Sequence, residues 1–189
     1  MNLKQIKDLA LKLTDEYSVN GTVIPEGENA DELNKMIDFA NDAQMQLAKI
    51  DRIPANTEIQ LSENIMSYDL PSDFWTLDKI FIKDDSNFTD FSDFEILNKK
   101  IVLHNSYDNT YTLDVYYYKY PTELSDDANV PEISAESHYL IATYIAAMVL
   151  ISRGDFSQGG LLLNKFEAGK EDIIGLESGQ STISNVMGW

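Results

Sequence analysis

Along the first fifty residues apolar positions fall at helical spacing. Leu3, Ile6, Leu9, Ala10, Leu13 and Tyr17 recur every three or four positions, and Asn20-Gly21 ends the pattern. A second stripe runs through Leu33, Met36, Ile37, Ala40, Ala43, Leu47 and Ile50. It opens on Asn29-Ala30-Asp31-Glu32, a capping-box spacing in which Asn29 accepts from a first-turn amide while Glu32 reaches back, and Pro54 is expected to close it. From about residue 57 to 120 the period changes. Apolar residues come in short runs, β-branched and aromatic types increase, and Asn, Asp, Ser and Pro punctuate them, which predicts strands over 58–61, 66–70, 75–83, 95–97, 100–104 and 111–120. Leu113, Val115 and Tyr117 alternate with Asp114, Tyr116 and Tyr118, giving the last strand one core face and one aromatic, partly polar face. Residues 105–109, Asn-Ser-Tyr-Asp-Asn, are a turn-forming cluster between the last two strands.

The helical period then returns. Ser134 is the expected N-cap of a helix reaching about residue 152, apolar nearly all round through Leu140, Ile141, Tyr144, Ile145, Met148, Val149 and Ile151, and a helix like that is covered on all sides. Gly154 offers a left-handed C-terminal position. Asp155 to Gln158 repeats the capping-box spacing and opens a fourth helix with Leu162, Leu163, Phe166 and Ile173 on its face. Gly159, Gly160 and Gly169 each cost about 1 kcal/mol relative to Ala, so close packing against a neighbour is expected to compensate. Residues 175–189 have no period and are rich in Gly, Ser, Asn and Thr. Ile183, Val186, Met187 and Trp189 stand there as isolated apolar anchors, to be held by a partner or by docking back on the chain itself.

The fold class predicted is α+β: a mainly helical bundle of about four helices, an antiparallel β region inserted between helices two and three, and an extended C-terminal tail. Residues 1–56 and 121–174 form one helical body, 57–120 the insertion and 175–189 a docking tail.

Composition narrows the function. With 189 residues and 43% apolar content the chain can bury a real core. Its 32 acidic against 14 basic residues, net −18, argue against unaided binding to nucleic acid or an anionic membrane, because phosphate contacts need clustered Lys and Arg. No Lys or Arg occurs between Lys119 and Arg153, while Glu123, Asp126, Asp127, Glu132 and Glu136 fall inside that window, so one acidic surface is expected. Without cysteine there are neither disulfides nor thiolate metal sites, which suits a cytoplasmic setting, and the charged N-terminus lacks the apolar stretch of a signal peptide. The apolar run of residues 139–151 is shorter than the roughly 20 residues of a bilayer span and reads as a buried helix.

Chemistry-bearing patterns are absent. His104 and His138, the two histidines, have no ligand partners at metal-binding spacing, and zinc needs three or four convergent N or S donors. Asp84, Ser86, Phe88 and Asp90 put an aromatic where a calcium loop needs oxygen, and the central Gly is missing. There is no nucleophile elbow, triad, Walker loop or dinucleotide fingerprint, so no catalytic, metal or cofactor residues are assigned and no cofactor is expected. Tyr107, Tyr111, Tyr116, Tyr117, Tyr118 and Tyr120 could form a stacking platform for bases or sugars, but strand packing and subunit contacts account for them better without flanking cations.

The order of parts resembles the adaptor, or head-to-tail connector, proteins of tailed bacteriophages. The residues that carry the resemblance are the second helix over 31–50; Tyr68-Asp69-Leu70-Pro71-Ser72-Asp73-Phe74 leading into a strand; Leu113-Asp114-Val115-Tyr116-Tyr117 followed by Pro121; and Val130-Pro131-Glu132-Ile133 before the apolar helix. Each motif is short, and the specificity comes from their order and spacing over most of the chain. The resemblance implies a structural virion protein made in the host cytoplasm and placed at the head-to-tail interface. It would form a ring of about twelve copies beneath the portal, with neck or tail proteins below and DNA passing without specific binding. In that setting Leu140, Tyr144, Ile145, Met148 and Ile151 are expected to pack between subunits, and Ile183, Val186, Met187 and Trp189 to dock on the portal or a neighbouring copy. A tail-completion ring lower in the neck, and a ligand-binding module using the aromatic β region, are the competing expectations; an enzyme comes last.

Overall fold

A computed structural model describes residues 1–14, 30–84 and 87–186, with side chains for 1–14, 34–84 and 87–174. The chain divides into two units, one of residues 1–51 with 121–189, the other Arg52–Tyr120.

The first unit is helical. α1 (Leu3–Leu13) starts in a capping box, Asn2 Oδ1 accepting from Gln5 N while Gln5 Oε1 accepts from Asn2 N, and buries Leu3, Ile6, Ala10 and Leu11. The sequence pattern that continues to Tyr17, the Asn20-Gly21 stop and the Asn29 cap lie outside the described residues. α2 (Ala30–Ala48) places Met36, Ala40, Ala43 and Leu47 in full burial, the i, i+4, i+7, i+11 stripe of an amphipathic helix. It ends in a turn in which Asp51 N and Ile50 N both donate to Leu47 O. Pro54 is therefore not its stop.

α3 (His138–Ser152) is the core helix. From Ile141 to Ala147 every residue is buried, because α1, α2 and α4 (Phe156–Val186) all pack against it. With the turn before it, residues 135–152 are apolar and long enough to match a membrane span by composition, yet 61% of that window is buried within the unit. The Ser134 side chain does not cap α3. A 3-10 turn (Ala135–Ser137) intervenes, and Asp51 Oδ2 serves as the acceptor instead, taking Ser134 N at 2.9 Å, Ser134 Oγ at 2.6 Å and Ser137 Oγ at 2.7 Å. At the far end Gly154 adopts φ +89°, and Asp155 Oδ1 accepts from Gln158 N to start α4. The α4 backbone stays helical to Val186, through residues 175–186 that composition alone marks as extended. Once a helix is running, each further residue adds a hydrogen bond without repeating the nucleation cost, so lack of periodicity does not end it.

The second unit is two antiparallel sheets. β1 (Ile53–Gln60), β7 (Thr112–Lys119), β3 (Phe74–Lys83) and β4 (Phe88–Asp90) form one, in the order β1-β7-β3-β4; β2 (Ser67–Asp69), β6 (Lys100–Leu103) and β5 (Phe94–Leu97) form the other, in the order β2-β6-β5. β1 begins earlier than the alternation suggests and contains Pro54, which is tolerated because β1 is an edge strand. β4 carries no sequence signal, since its three residues are all exposed and no alternation can show. Leu61, Leu70, Phe74, Ile80, Phe91, Ile101, Leu103, Leu113, Val115 and Tyr117 make the core. β5 and β6 are joined through Asn98 (φ +51°) and Lys99 (φ +59°), consecutive left-handed residues of the kind a two-residue hairpin turn requires.

Candidate docking surfaces

In the helical unit the acidic segment before α3 is pinned by amide side chains of α2. Asn41 donates through Nδ2 to Leu124 O at 2.9 Å and accepts from Leu124 N at 2.7 Å, so one side chain satisfies both backbone groups of that residue. Gln44, 1% exposed, does the same work across two residues, donating to Thr122 O and accepting from Glu132 N. Buried amides need such partners, and here the partners fix the path of the segment. Leu124 and Ile133 turn inward, while Glu123, Asp126, Asp127, Glu132 and Glu136 stay exposed. Asp127 pairs with Lys7, and the carbonyls of Asp127 and Asn129 accept from Lys4 N and Leu3 N, closing the first turn of α1. The five carboxylates of this segment thus face solvent from a backbone held by α1 and α2.

α3 and α4 approach closely. A Cβ on Gly159 would lie 2.6 Å from Ile151 Cγ1 and 2.9 Å from Ala147 O, and one on Gly169 would overlap Leu140 Cδ2, whereas one on Gly160 would meet nothing within 4 Å. Two of the three glycines are thus explained by packing, and the neighbour is the chain's own α3. The residues expected between subunits separate accordingly. Ile145 is fully buried and Tyr144, against the Phe166 ring at 4.9 Å, is 9% exposed, so both belong to the core of the helical unit itself; Leu140, Met148 and Ile151 keep partial exposure. On α4, Phe156 and Leu161 are 71% and 63% exposed. Ile183 and Val186 lie on the helical backbone of α4 with side chains outside the described residues, and Met187 and Trp189 lie outside altogether.

His138 is buried, with both ring nitrogens engaged by the chain itself. Its Nε2 faces Ile133 O at 3.2 Å and its Nδ1 lies 2.6 Å from the Met1 α-amino group; burial, then that positive charge, holds its pKa below the ordinary imidazole value. His104 sits 3.3 Å from Asp93 Oδ1. Asp93 accepts from Asn105 Nδ2 at 2.5 Å and Tyr107 OH at 2.9 Å, and these bonds, the Asn105 one foremost, keep its carboxyl acidic. Among the described residues no group of three His, Cys, Asp or Glu could hold a metal ion. Asp84 Oδ1 accepts from Asn87 N in a local turn, and Ser86 lies outside the described residues.

The tyrosines do not form one platform. Tyr107 and Tyr111 pack edge-on in a cluster with Phe91; Tyr117 is core, against Phe74; Tyr120 stacks on Trp75. Only Tyr116 and Tyr118 reach the outer face of the four-stranded sheet, with Phe81, Phe88 and Lys79 around Tyr116 and Arg52 over Tyr118 at 5.1 Å. Asp114, 8% exposed, lies beneath, accepting from Tyr116 OH at 3.1 Å. That bond raises the Tyr116 pKa, and the Glu58 hydrogen bond raises that of Lys83 next to it.

No curated protein matches the chain significantly. A family model described as SU10 adaptor protein matches residues 1–186, which takes in both units and almost the entire chain. The chain therefore belongs to the SU10 adaptor proteins, a family of phage adaptors and so of structural virion components.

Proposed function

We propose that this adaptor is a subunit of the head-to-tail connector, docking beneath the portal as a ring of about twelve copies and continuing the DNA channel toward the neck and tail proteins below. The match of the adaptor family over residues 1–186 carries this reading. Its role is structural and involves no catalysis. Two surfaces support it. The exposed acidic strip between Lys119 and Arg153 repels phosphate, as suits a wall that DNA passes without sticking. Apolar side chains remain for a neighbouring copy: Phe156 and Leu161 are exposed on α4, and Leu140, Met148 and Ile151 keep part of their surface on α3. Ile183, Val186, Met187 and Trp189 provide the portal-side anchor.

The test is co-sedimentation with a portal ring from the same genome, comparing the full chain with a truncation after Leu176 and reading copy number by mass. About twelve copies that depend on the tail support the adaptor and its anchor. No binding to portal, with binding to tail components instead, places the ring lower in the neck. Unfolding of the truncated chain assigns the tail to the core.

A further inference from the structure

α4 has one main neighbour, α3, and α3 takes a single stripe of it. Gly159, Phe166 and Gly169 meet α3 directly, and Leu162 and Ile173 fall on the same line at alternating steps of three and four. A helix that packs on one neighbour needs one such stripe. α4 has two more. At about 100° per residue, Phe156, Gly160, Leu163, Glu167, Lys170 and Ile174 form a flank on one side of the α3 line, and Gln158, Leu161, Lys165, Ala168 and Asp172 form a flank on the other. Opposite α3, between the flanks, run Ser157, Asn164 and Glu171, all polar and exposed. Both flanks keep the three-and-four spacing of helices that lie side by side.

The two flanks complement each other. Phe156 on the first and Leu161 on the second are the most exposed large apolar side chains among the described residues. Gly160, between Phe156 and Leu163, costs the helix about 1 kcal/mol relative to Ala, and no contact inside the chain accounts for it, since a Cβ there would meet nothing within 4 Å. It leaves a gap on the first flank at the height where Leu161 projects from the second. The charges match as well. The first flank carries Glu167 and then Lys170, paired with each other at 2.8 Å; the second carries Lys165 and then Asp172, both exposed and without an ion-pair partner among the described residues. Laid parallel and in register, Lys165 of one helix stands two positions from Glu167 of the other, and Asp172 two positions from Lys170, so both meetings are of opposite sign. Rotation about one axis gives every copy the same direction and height, which is this arrangement for helices running along the axis.

We propose that neighbouring copies join along α4, the Phe156 flank of one against the Leu161 flank of the next, with Leu161 seated over Gly160 and Lys165 beside Glu167. The contact uses different surfaces on its two sides, as a ring requires. The flanks stand about 160° apart across the polar row, close to the roughly 150° at each corner of a twelve-sided ring. This seam rests on the ring reading above and gives it a surface.

Gly160→Leu fills the gap without meeting anything inside the chain, so it should keep the melting temperature of the free chain yet lose most of the copies bound per portal. Lys165→Glu should lower the copies bound, and adding Glu167→Lys should restore them. The chain has no cysteine, so a Lys165→Cys, Glu167→Cys double variant can be cross-linked with a short bis-maleimide without background. In the complex with portal, a ladder of covalent multimers reaching the full copy number is expected. Wild-type copy number for Gly160→Leu, with only monomers from the cysteine variant on the gel, overturns the seam and leaves the adaptor reading intact, and cross-linking that stops at dimers overturns it in favour of a twofold contact. If the wild-type chain does not bind portal, the adaptor reading fails; a ladder from the concentrated cysteine variant alone still supports the seam, and its absence there overturns it.

Discussion

Gly159 on α4 sits so close to Ile151 on α3 that a methyl group at its α-carbon would stand 2.6 Å from the isoleucine Cγ1. Backbone and a branched side chain close that gap together, so neither can yield cheaply. Gly159→Ala should therefore destabilise the chain by about 1–3 kcal/mol through overpacking. Gly160, one residue on, has open space around its α-carbon, and Gly160→Ala should stabilise by up to about 1 kcal/mol through helix propensity. Chemical denaturation of the two variants side by side checks both signs.

Asp51 holds the turn that starts α3. Its Oδ2 accepts from two hydroxyls and a backbone amide, and Ser137 is 1% exposed. Asp51→Ala should remove the shared acceptor of all three donors, leaving the Ser137 hydroxyl only Ser134 Oγ at 3.1 Å, and cost about 1–2 kcal/mol, with Asp51→Asn recovering part of the loss. Equilibrium unfolding in urea is the measurement.

His138 gives the fold a pH dependence. Its folded pKa lies below the unfolded value, so the folded chain keeps it neutral where the unfolded chain already takes a proton. Its contribution is present above about pH 6.5, the ordinary imidazole value, and is lost as pH falls from there toward the folded pKa. The wild type should lose stability relative to His138→Gln as pH falls from 7 to 5. Parallel pH profiles of the two proteins would defeat this assignment.

Lys99 occupies a left-handed conformation at the β5–β6 turn, where a side chain costs about 1 kcal/mol or more and glycine costs nothing. Lys99→Gly completes an Asn-Gly hairpin turn and should raise the melting temperature, by a net gain of about 0.5–1 kcal/mol. A lowered melting temperature would mean that Lys99 contributes a contact outweighing its strain.

The order of the parts is legible in the chain's local pattern, because spacing among near neighbours suffices for it. The stripes of α1, α2 and α4, the all-round apolar α3, the left-handed Gly154, the Asp155 cap and the two-faced β7 each follow from the spacing of a few neighbouring side chains. What those elements bury, and what holds the turn before α3, follows from the packed chain alone. α3 finds its cover inside its own chain, because the glycines of α4 let a second helix lie on the side that sequence leaves unassigned. Asp51 caps a turn more than eighty positions away, a link no window can contain. β4 exists only by pairing with β3, since three exposed residues have no pattern of their own. The six tyrosines look alike in sequence, yet strand register and loop path send some to the core and leave others on the outer face. Periodicity reports which side of an element is apolar, and only the packed chain reports what meets it.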